Sequence, residues 1–70
     1  MKYSFTLHAE LRIKKRKVTK EEIIDAIKAP LITTKKHGKY YAQKIMDRGK
    51  IEVVYERKES YINIITVYWL

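Results

Sequence analysis

The spacing of apolar residues changes part of the way along this 70-residue chain. Residues 7–29 place apolar side chains three and four positions apart, which is the spacing of amphipathic helices. From residue 31 onward, β-branched and aromatic residues gather in short runs separated by turn residues, as in strands. The pattern therefore predicts two helices followed by a sheet.

Capping signals set the bounds of the two predicted helices. Thr6 can cap a first helix that runs from about Leu7 to Lys17. Thr19 and Glu22 have capping-box spacing, in which each side chain bonds the backbone amide of the other residue. A second helix therefore starts at this box, and Pro30 stops it near the preceding residue. Its apolar face consists of Ile23, Ile24, Ala26 and Ile27.

Four strands are predicted after Pro30, at residues 31–36, 39–47, 51–58 and 61–70. They are separated by turns at His37-Gly38, at residues 47–50 and at Glu59-Ser60. The last strand is apolar at both odd and even positions, so we expect it inside the sheet. Helices followed by strands predict an α+β fold in which both helices pack on one face of a four-stranded antiparallel sheet.

Composition narrows the class of protein. Apolar residues make up 46% of the chain and only two Gly and one Pro interrupt it, as expected of one folded domain over residues 1–70. The absence of cysteine excludes disulfides and thiolate metal sites, and His8 and His37 lack zinc-ligand spacing. We therefore expect no metal and no cofactor. The sequence shows neither a membrane-length apolar run nor a signal peptide, so we expect a cytoplasmic protein without membrane contact.

Positive charge is concentrated in the first half of the chain. The net charge is +8, and residues 1–36 carry ten basic and four acidic side chains. Such a field favours an anionic partner, either a nucleic acid or an acidic protein segment. The alternative is a solvated Lys-rich surface that only keeps the protein soluble. Charge alone does not decide between these interpretations.

The first helix carries apolar residues in two stripes: Leu7 with Leu11, and Ala9 with Ile13. Between the stripes lies a mainly basic set: His8, Arg12, Lys15 and Arg16. If both stripes contact the rest of the fold, His8 and Arg12 lie beside or over the sheet and could line a cleft. In the alternative interpretation, His8 bonds a nearby carbonyl while Arg12 and Arg16 cover apolar surface.

The order of short motifs resembles a group of small domains related to RelE-like and BrnT-like toxins. The motifs are His8-Ala9-x-x-Arg12, Arg16, a Val-Thr-x-Glu-Glu-Ile helix start, Ala29-Pro30, Val53-Val54-Tyr55 and Ile64-Ile65-Thr66-Val67-Tyr68. Together they cover about residues 6–68. The group's usual Gly after its second helix-1 Arg is replaced by Lys17.

The resemblance implies a RelE-like fold and a type II toxin that cleaves RNA, on or off the ribosome, and that a cognate antitoxin inhibits. It leaves open whether the protein is a homodimer.

RNA cleavage without a metal requires activation of the 2′-hydroxyl, protonation of the leaving 5′-oxygen and cations that balance the transition-state charge. His8 is the candidate acid or base and Arg12 the candidate phosphate clamp, while Tyr68 could donate a hydrogen bond or stack on a base. The predicted nucleic-acid-binding residues are Arg12, Lys15, Arg16, Lys44 and Arg57.

Two other functional classes remain. In the first, the chain is a non-catalytic nucleic-acid-binding module that uses the basic helix for phosphates and exposed tyrosines for stacking, from the set Tyr40, Tyr41, Tyr55 and Tyr61. In the second, it is a small interaction domain whose basic surface meets an acidic protein. A neighbouring gene for a short acidic or DNA-binding protein would favour the toxin hypothesis.

Overall fold

The computed structural model describes residues 1–70 and contains two helices and one mixed five-stranded sheet. In chain order the elements are β1 Lys2–Phe5, α1 Leu7–Arg16, α2 Lys20–Lys28, β2 Ile32–Lys36, β3 Lys39–Met46, β4 Gly49–Arg57 and β5 Tyr61–Trp69. The strands lie side by side in the order β1-β5-β4-β3-β2. Only β1 and β5 are parallel, and the other neighbours are antiparallel.

The predicted four-stranded antiparallel sheet, with its RelE-like order of two helices and four strands, is wrong. A fifth strand, β1, precedes α1 and pairs in parallel with β5, although the α+β class holds. Within β1, Tyr3 and Phe5 pack against the core while Lys2 and Ser4 are exposed. The alternation of apolar and polar residues over four positions is too short to predict a strand, and a helix cap follows it directly. The strand with which β1 pairs lies at the other end of the chain.

Thr6 joins β1 to α1 and also forms a hydrogen bond with β5, the last strand of the chain. Its Oγ1 accepts a hydrogen bond from the Ala9 amide at 3.0 Å, which caps the helix as predicted. The same hydroxyl donates to the Ile65 carbonyl at 3.1 Å. Ile65 has no partner on β4 because the consecutive residues Val54 and Tyr55 pair with Thr66 and Ile64, so this bond lies at a bulge of β5.

Helix α1 ends one residue before the predicted Lys17. Lys17 adopts the left-handed conformation at φ 57°, and its amide bonds the carbonyls of Ile13 and Lys14. The Val18 amide also bonds the Ile13 carbonyl at 3.1 Å, which completes a Schellman-type end. Two residues later α2 begins, with the Thr19–Glu22 capping box formed as predicted. None of the helices is long and apolar enough to cross a membrane.

Both helices pack on the same face of the sheet. Ala9 of α1 and Ile23 and Ala26 of α2 are fully buried in one apolar core. The sheet contributes side chains that alternate along β3, β4 and β5, namely Ala42, Ile51, Val53, Tyr55, Ile62, Ile64 and Val67. No helix covers the opposite face, which we call the open face. Strand residues of the other parity therefore lie on an uncovered surface.

The hairpin between β2 and β3 has a two-residue turn at His37-Gly38, as predicted. Both residues have positive φ, 52° for His37 and 77° for Gly38, which is the requirement of a type I′ turn. Gly38 meets this requirement without cost because it has no Cβ. Lys36 and Lys39 pair directly on either side of the turn. The turn therefore fixes His37 at the tip of the hairpin.

Candidate functional site

His8 and Arg12 lie together on the outer side of α1. The Arg12 guanidinium Nε donates to His8 Nε2 at 3.4 Å, and His8 is exposed. Only one of the two apolar stripes packs against the sheet, because Leu7 and Leu11 are 78% and 61% exposed. The His8–Arg12 pair therefore borders an exposed apolar stripe on the surface of α1, with His8 exposed and Arg12 half-buried.

The remaining predicted nucleic-acid-binding residues lie in different surroundings. Lys15 is exposed on α1, whereas Arg16 is half-buried and its Nε is enclosed without a hydrogen-bond partner. Lys44 is held by the Asp25 carboxylate and the Ala29 carbonyl, both at 3.1 Å. Arg57 is exposed at the end of β4, with its guanidinium 6.0 Å from the Tyr40 ring. These residues do not form one continuous binding surface.

Tyr68 lies on the open face and is separated by the sheet from His8 and Arg12. It sits in a row across three strands, opposite Glu52 of β4, which in turn is opposite Gln43 of β3. The Tyr68 hydroxyl donates to Glu52 Oε1, and Gln43 Nε2 donates to Glu52 Oε2 at 2.9 Å. The predicted catalytic set of His8, Arg12 and Tyr68 is therefore not assembled in one place.

Glu52 is only 8% exposed even though no helix lies above it. It is flanked on the same strand by Val54, which is also buried on the open face. Burial, then the hydrogen bond and negative charge of Glu52, and the nearby Tyr41 together raise the pKa of Tyr68 to about 12. The phenol of Tyr68 therefore stays protonated at neutral pH and remains a hydrogen-bond donor.

A depression of about 450 Å³ opens beside this row. Its lining consists of Thr34, Lys36, His37, Tyr41, Glu52 and Tyr68. The type I′ turn places Lys36 and His37 beside the depression. A carboxylate, an imidazole, an ammonium group and two phenols thus line one surface, on which a polar ligand with both donors and anionic groups could be bound. This depression is the candidate site.

Tyrosines divide between the two faces of the sheet. Tyr40 and Tyr55 stack on the helix face with ring centroids 5.3 Å apart, and Tyr55 is buried. These two rings are part of the core or its border. Tyr41 lines the depression on the open face, and Tyr61 lines a second depression with Lys2 and Ser4. Of the four tyrosines proposed for stacking, Tyr41 and Tyr61 therefore lie on the open face, and Tyr55 is buried.

Four residues around the depression were not predicted as site residues from the sequence: Glu52, Gln43, Lys36 and His37. A signal for Glu52 was present, because it is a single acid inside the otherwise apolar run from Ile51 to Tyr55. Its partners depend on strand register, which fixes which residues of β3 and β5 lie opposite it. From the sequence, His37 is a turn residue without zinc-ligand spacing, and nothing near it in the chain marks it as part of a site. No group of three or more His, Cys, Asp or Glu side chains is arranged to hold a metal ion.

Comparison with known proteins identifies a family. Residues 5–69 match the family described as "Domain of unknown function (DUF4258)". Searches of curated proteins and of solved structures each found no significant match. Because the match spans nearly the whole length of the chain, the protein belongs to the DUF4258 family.

Proposed function

We propose that this domain binds single-stranded RNA on its open face and cleaves it without a metal ion, as a toxin-type ribonuclease. The observation that carries the proposal is the depression in which Lys36, His37, Tyr41 and the Glu52–Tyr68 pair come together. An uncovered sheet with aromatic and cationic side chains suits unpaired nucleotides, whose bases stack on rings while lysines bind phosphate. The resemblance to RelE-like and BrnT-like toxins supports the same class.

Single-stranded RNA fits this surface better than a duplex. Glu52 and Tyr68 lie at the surface of a sheet and present a carboxylate and a phenol to the depression. A base can reach these groups with its hydrogen-bonding edge only when that edge is unpaired. Stacking on an aromatic ring such as Tyr41 contributes about 1–3 kcal/mol per base in single-strand-binding proteins.

His37 and Lys36 are the groups of the depression best suited to the cleavage step. Histidine exchanges protons near neutral pH, so His37 can take the proton of a 2′-hydroxyl. The 2′-oxygen then attacks the adjacent phosphorus, the bond to the 5′-oxygen breaks, and that oxygen takes a proton from solvent water as it leaves. Lys36 can offset the charge that builds on the phosphate oxygens. The products are a 2′,3′-cyclic phosphate and a 5′-hydroxyl.

The exposed stripe on α1 supports a second function, the binding of a protein partner such as an antitoxin. Leu7 and Leu11 are one helical turn apart and are flanked by Arg12 and Lys15, so an apolar strip runs beside two cations. This combination fits an amphipathic helix with acidic flanks from a different protein. A second copy of the chain is a poor occupant, because each copy carries a net charge of +8.

A cleavage assay tests the proposed enzyme. Purified protein is incubated with end-labelled single-stranded RNA in two arms, one without ribosomes in buffer that contains EDTA and one with ribosomes in buffer that contains Mg²⁺. Cleavage products with 2′,3′-cyclic phosphate ends in either arm support the proposal. RNA binding without cleavage in both arms would leave a binding module, and the absence of both binding and cleavage would refute an RNA function.

A further inference from the structure

We infer that the depression on the open face is a binding site for a guanine base, with the Glu52 carboxylate as the group that recognises it. This inference rests on the proposed binding of RNA and names the base that the site prefers. The observation behind it is the Glu52 carboxylate, which is nearly buried and lines an open depression. Each of its two oxygens accepts a hydrogen bond from one neighbouring side chain.

The hydrogen bonds of Glu52 leave one acceptor position free on each of its two carboxylate oxygens. A carboxylate has about four lone-pair positions, two on each oxygen. Tyr68 occupies one position on Oε1 and Gln43 occupies one on Oε2. One position therefore remains on each oxygen, which together can accept two parallel N–H bonds from a single ligand.

Guanine is the standard base whose edge fits this pair of acceptors. Its N1–H and N2–H₂ groups are adjacent donors on the Watson–Crick edge. Adenine and cytosine each present one amino donor beside a ring-nitrogen acceptor, and uracil presents one N–H between two carbonyls. In these three bases an acceptor would face a carboxylate oxygen and repel it. Glu52 therefore selects for guanine by attraction and against the other bases by repulsion.

The other groups around Glu52 complete a nucleotide site. Tyr68 and Gln43 hold the carboxylate in one orientation, so that its free positions are fixed before a ligand binds. Tyr41 offers a ring for stacking, and Lys36 and His37 offer cationic or donor groups for a phosphate. A purely structural role explains this arrangement poorly, because a buried carboxylate costs desolvation free energy that an apolar residue beside Val54 would avoid.

The sequence provides a reporter for this site. Gln43 is the only glutamine and Asn63 is the only asparagine of the chain, so a ¹H–¹⁵N spectrum contains two side-chain amide pairs. The Gln43 amide bonds Glu52, whereas Asn63 lies elsewhere on the open face, opposite Glu56. We expect titration of the full chain with 5′-GMP to shift the Gln43 amide pair and to leave the Asn63 pair nearly unchanged. Titration with 5′-AMP should shift neither pair.

Glu52→Gln provides the matching loss-of-binding test. It keeps the size of the side chain but replaces one acceptor with an amino group, so 5′-GMP affinity should fall by about 10-fold or more. The affinity for 5′-AMP should not fall, because the variant also removes the carboxylate that repels adenine. Glu56→Gln is the control, because Glu56 lies on the same strand and the same face and pairs with Lys58. Thermal melting shows whether each variant is folded, and the wild-type NMR titration remains decisive if Glu52→Gln does not fold.

Equal shifts of Gln43 with 5′-GMP and 5′-AMP, or no shift with either, would overturn the guanine assignment. RNA cleavage or binding that is indifferent to guanine would then leave the proposed function standing without this specificity. Selective 5′-GMP binding by a protein that neither binds nor cleaves RNA would instead refute the proposed function and show a site for a free guanine nucleotide.

Discussion

The phenol of Tyr68 donates a hydrogen bond to the carboxylate of Glu52, across neighbouring strands and on the face of the sheet that no helix covers. The two residues are 16 positions apart in the chain, and the register of β4 and β5 brings them together. This pair, with Gln43 as a second donor to the carboxylate, fixes the groups around which the proposed RNA site is built.

The Tyr68–Glu52 pair predicts an unusual tyrosine titration. In the wild type, one tyrosine should ionise near pH 12, because burial and then Glu52 raise the pKa of Tyr68 to about 12. Glu52→Gln removes the negative charge, so the pKa of Tyr68 should fall while part of the shift from burial remains. Absorbance at the phenolate band during a pH titration measures this change, with Tyr68→Phe identifying the contribution of Tyr68. An unchanged titration in Glu52→Gln would contradict the pairing.

Glu22 predicts the acid dependence of stability. Its pKa lies below the ordinary value of about 4.5, chiefly because its carboxylate accepts from the Thr19 amide and also because it pairs with Arg48. A lowered pKa in the folded state stabilises the fold above the unfolded pKa, and this contribution is lost as pH falls through the folded value. Glu22→Gln should therefore reduce the free energy of unfolding at pH 7 by on the order of 1 kcal/mol or less.

Urea unfolding at pH 7 and at pH 3 measures this prediction. The difference between the wild type and Glu22→Gln should be smaller at the lower pH, because the contribution of the charged carboxylate is lost as pH falls through its lowered pKa. Glu21→Gln is the control, because Glu21 is exposed on the same helical turn and makes no hydrogen bond to Thr19 or Arg48. A difference that stays constant between the two pH values would show that the charge of Glu22 does not stabilise the fold.

Local features of the fold were predictable from the sequence, and long-range ones were not. The Thr19–Glu22 capping box and the turn at His37-Gly38 depend on residues that are close in the chain, and both form as predicted. Strand β1 was missed because its four residues gain their structure from β5, about 60 residues away. The sequence also showed both apolar stripes of α1 without showing that the Leu7–Leu11 stripe would face solvent.

The candidate site was predictable only in part for the same reason. Tyr68 was identified, but its partner Glu52 depends on the register between β4 and β5, which the bulge at Ile65 shifts by one residue. The sequence grouped Tyr68 with His8 and Arg12, and the sheet separates them. A residue's position in the chain does not reveal which face of a sheet it shares with another residue when a bulge intervenes.

Two histidines offer a direct comparison of the two candidate catalytic sites. We expect His37→Gln to reduce RNA cleavage by about 10²–10⁴-fold while RNA affinity changes little, because the variant loses the group that transfers a proton. His8→Gln should leave the cleavage rate within about 3-fold of wild type, as expected of a residue that stabilises no transition state. Rates at saturating RNA and binding constants for both variants make the comparison. Loss of cleavage in His8→Gln alone would move the catalytic site to α1.

The exposed stripe of α1 predicts the effect of a charge on partner binding. The probe is a protein encoded next to this chain, if it contains an acidic amphipathic helix, and binding is measured by calorimetry. Leu11→Glu should weaken the complex by about 10-fold or more, because it removes an apolar contact and adds charge that repels the acidic flanks. Leu31→Glu is the matched control, since Leu31 is 60% exposed and Leu11 is 61% exposed. Equal effects of both substitutions would show that α1 is not the docking surface.

The most direct test of the account compares the RNA affinity of two lysine variants, one on each side of the sheet. Lys36 lines the depression on the open face, while Lys15 is exposed on α1 and belongs to the basic helix. Both substitutions, Lys36→Ala and Lys15→Ala, remove one positive charge, so a difference between them reports where RNA lies. We measure the dissociation constant for single-stranded RNA at two salt concentrations. If RNA lies on the open face, Lys36→Ala weakens binding several-fold and reduces the salt dependence by about one counterion, whereas Lys15→Ala has little effect. The reverse result, with loss of affinity only in Lys15→Ala, would contradict an RNA site on the open face.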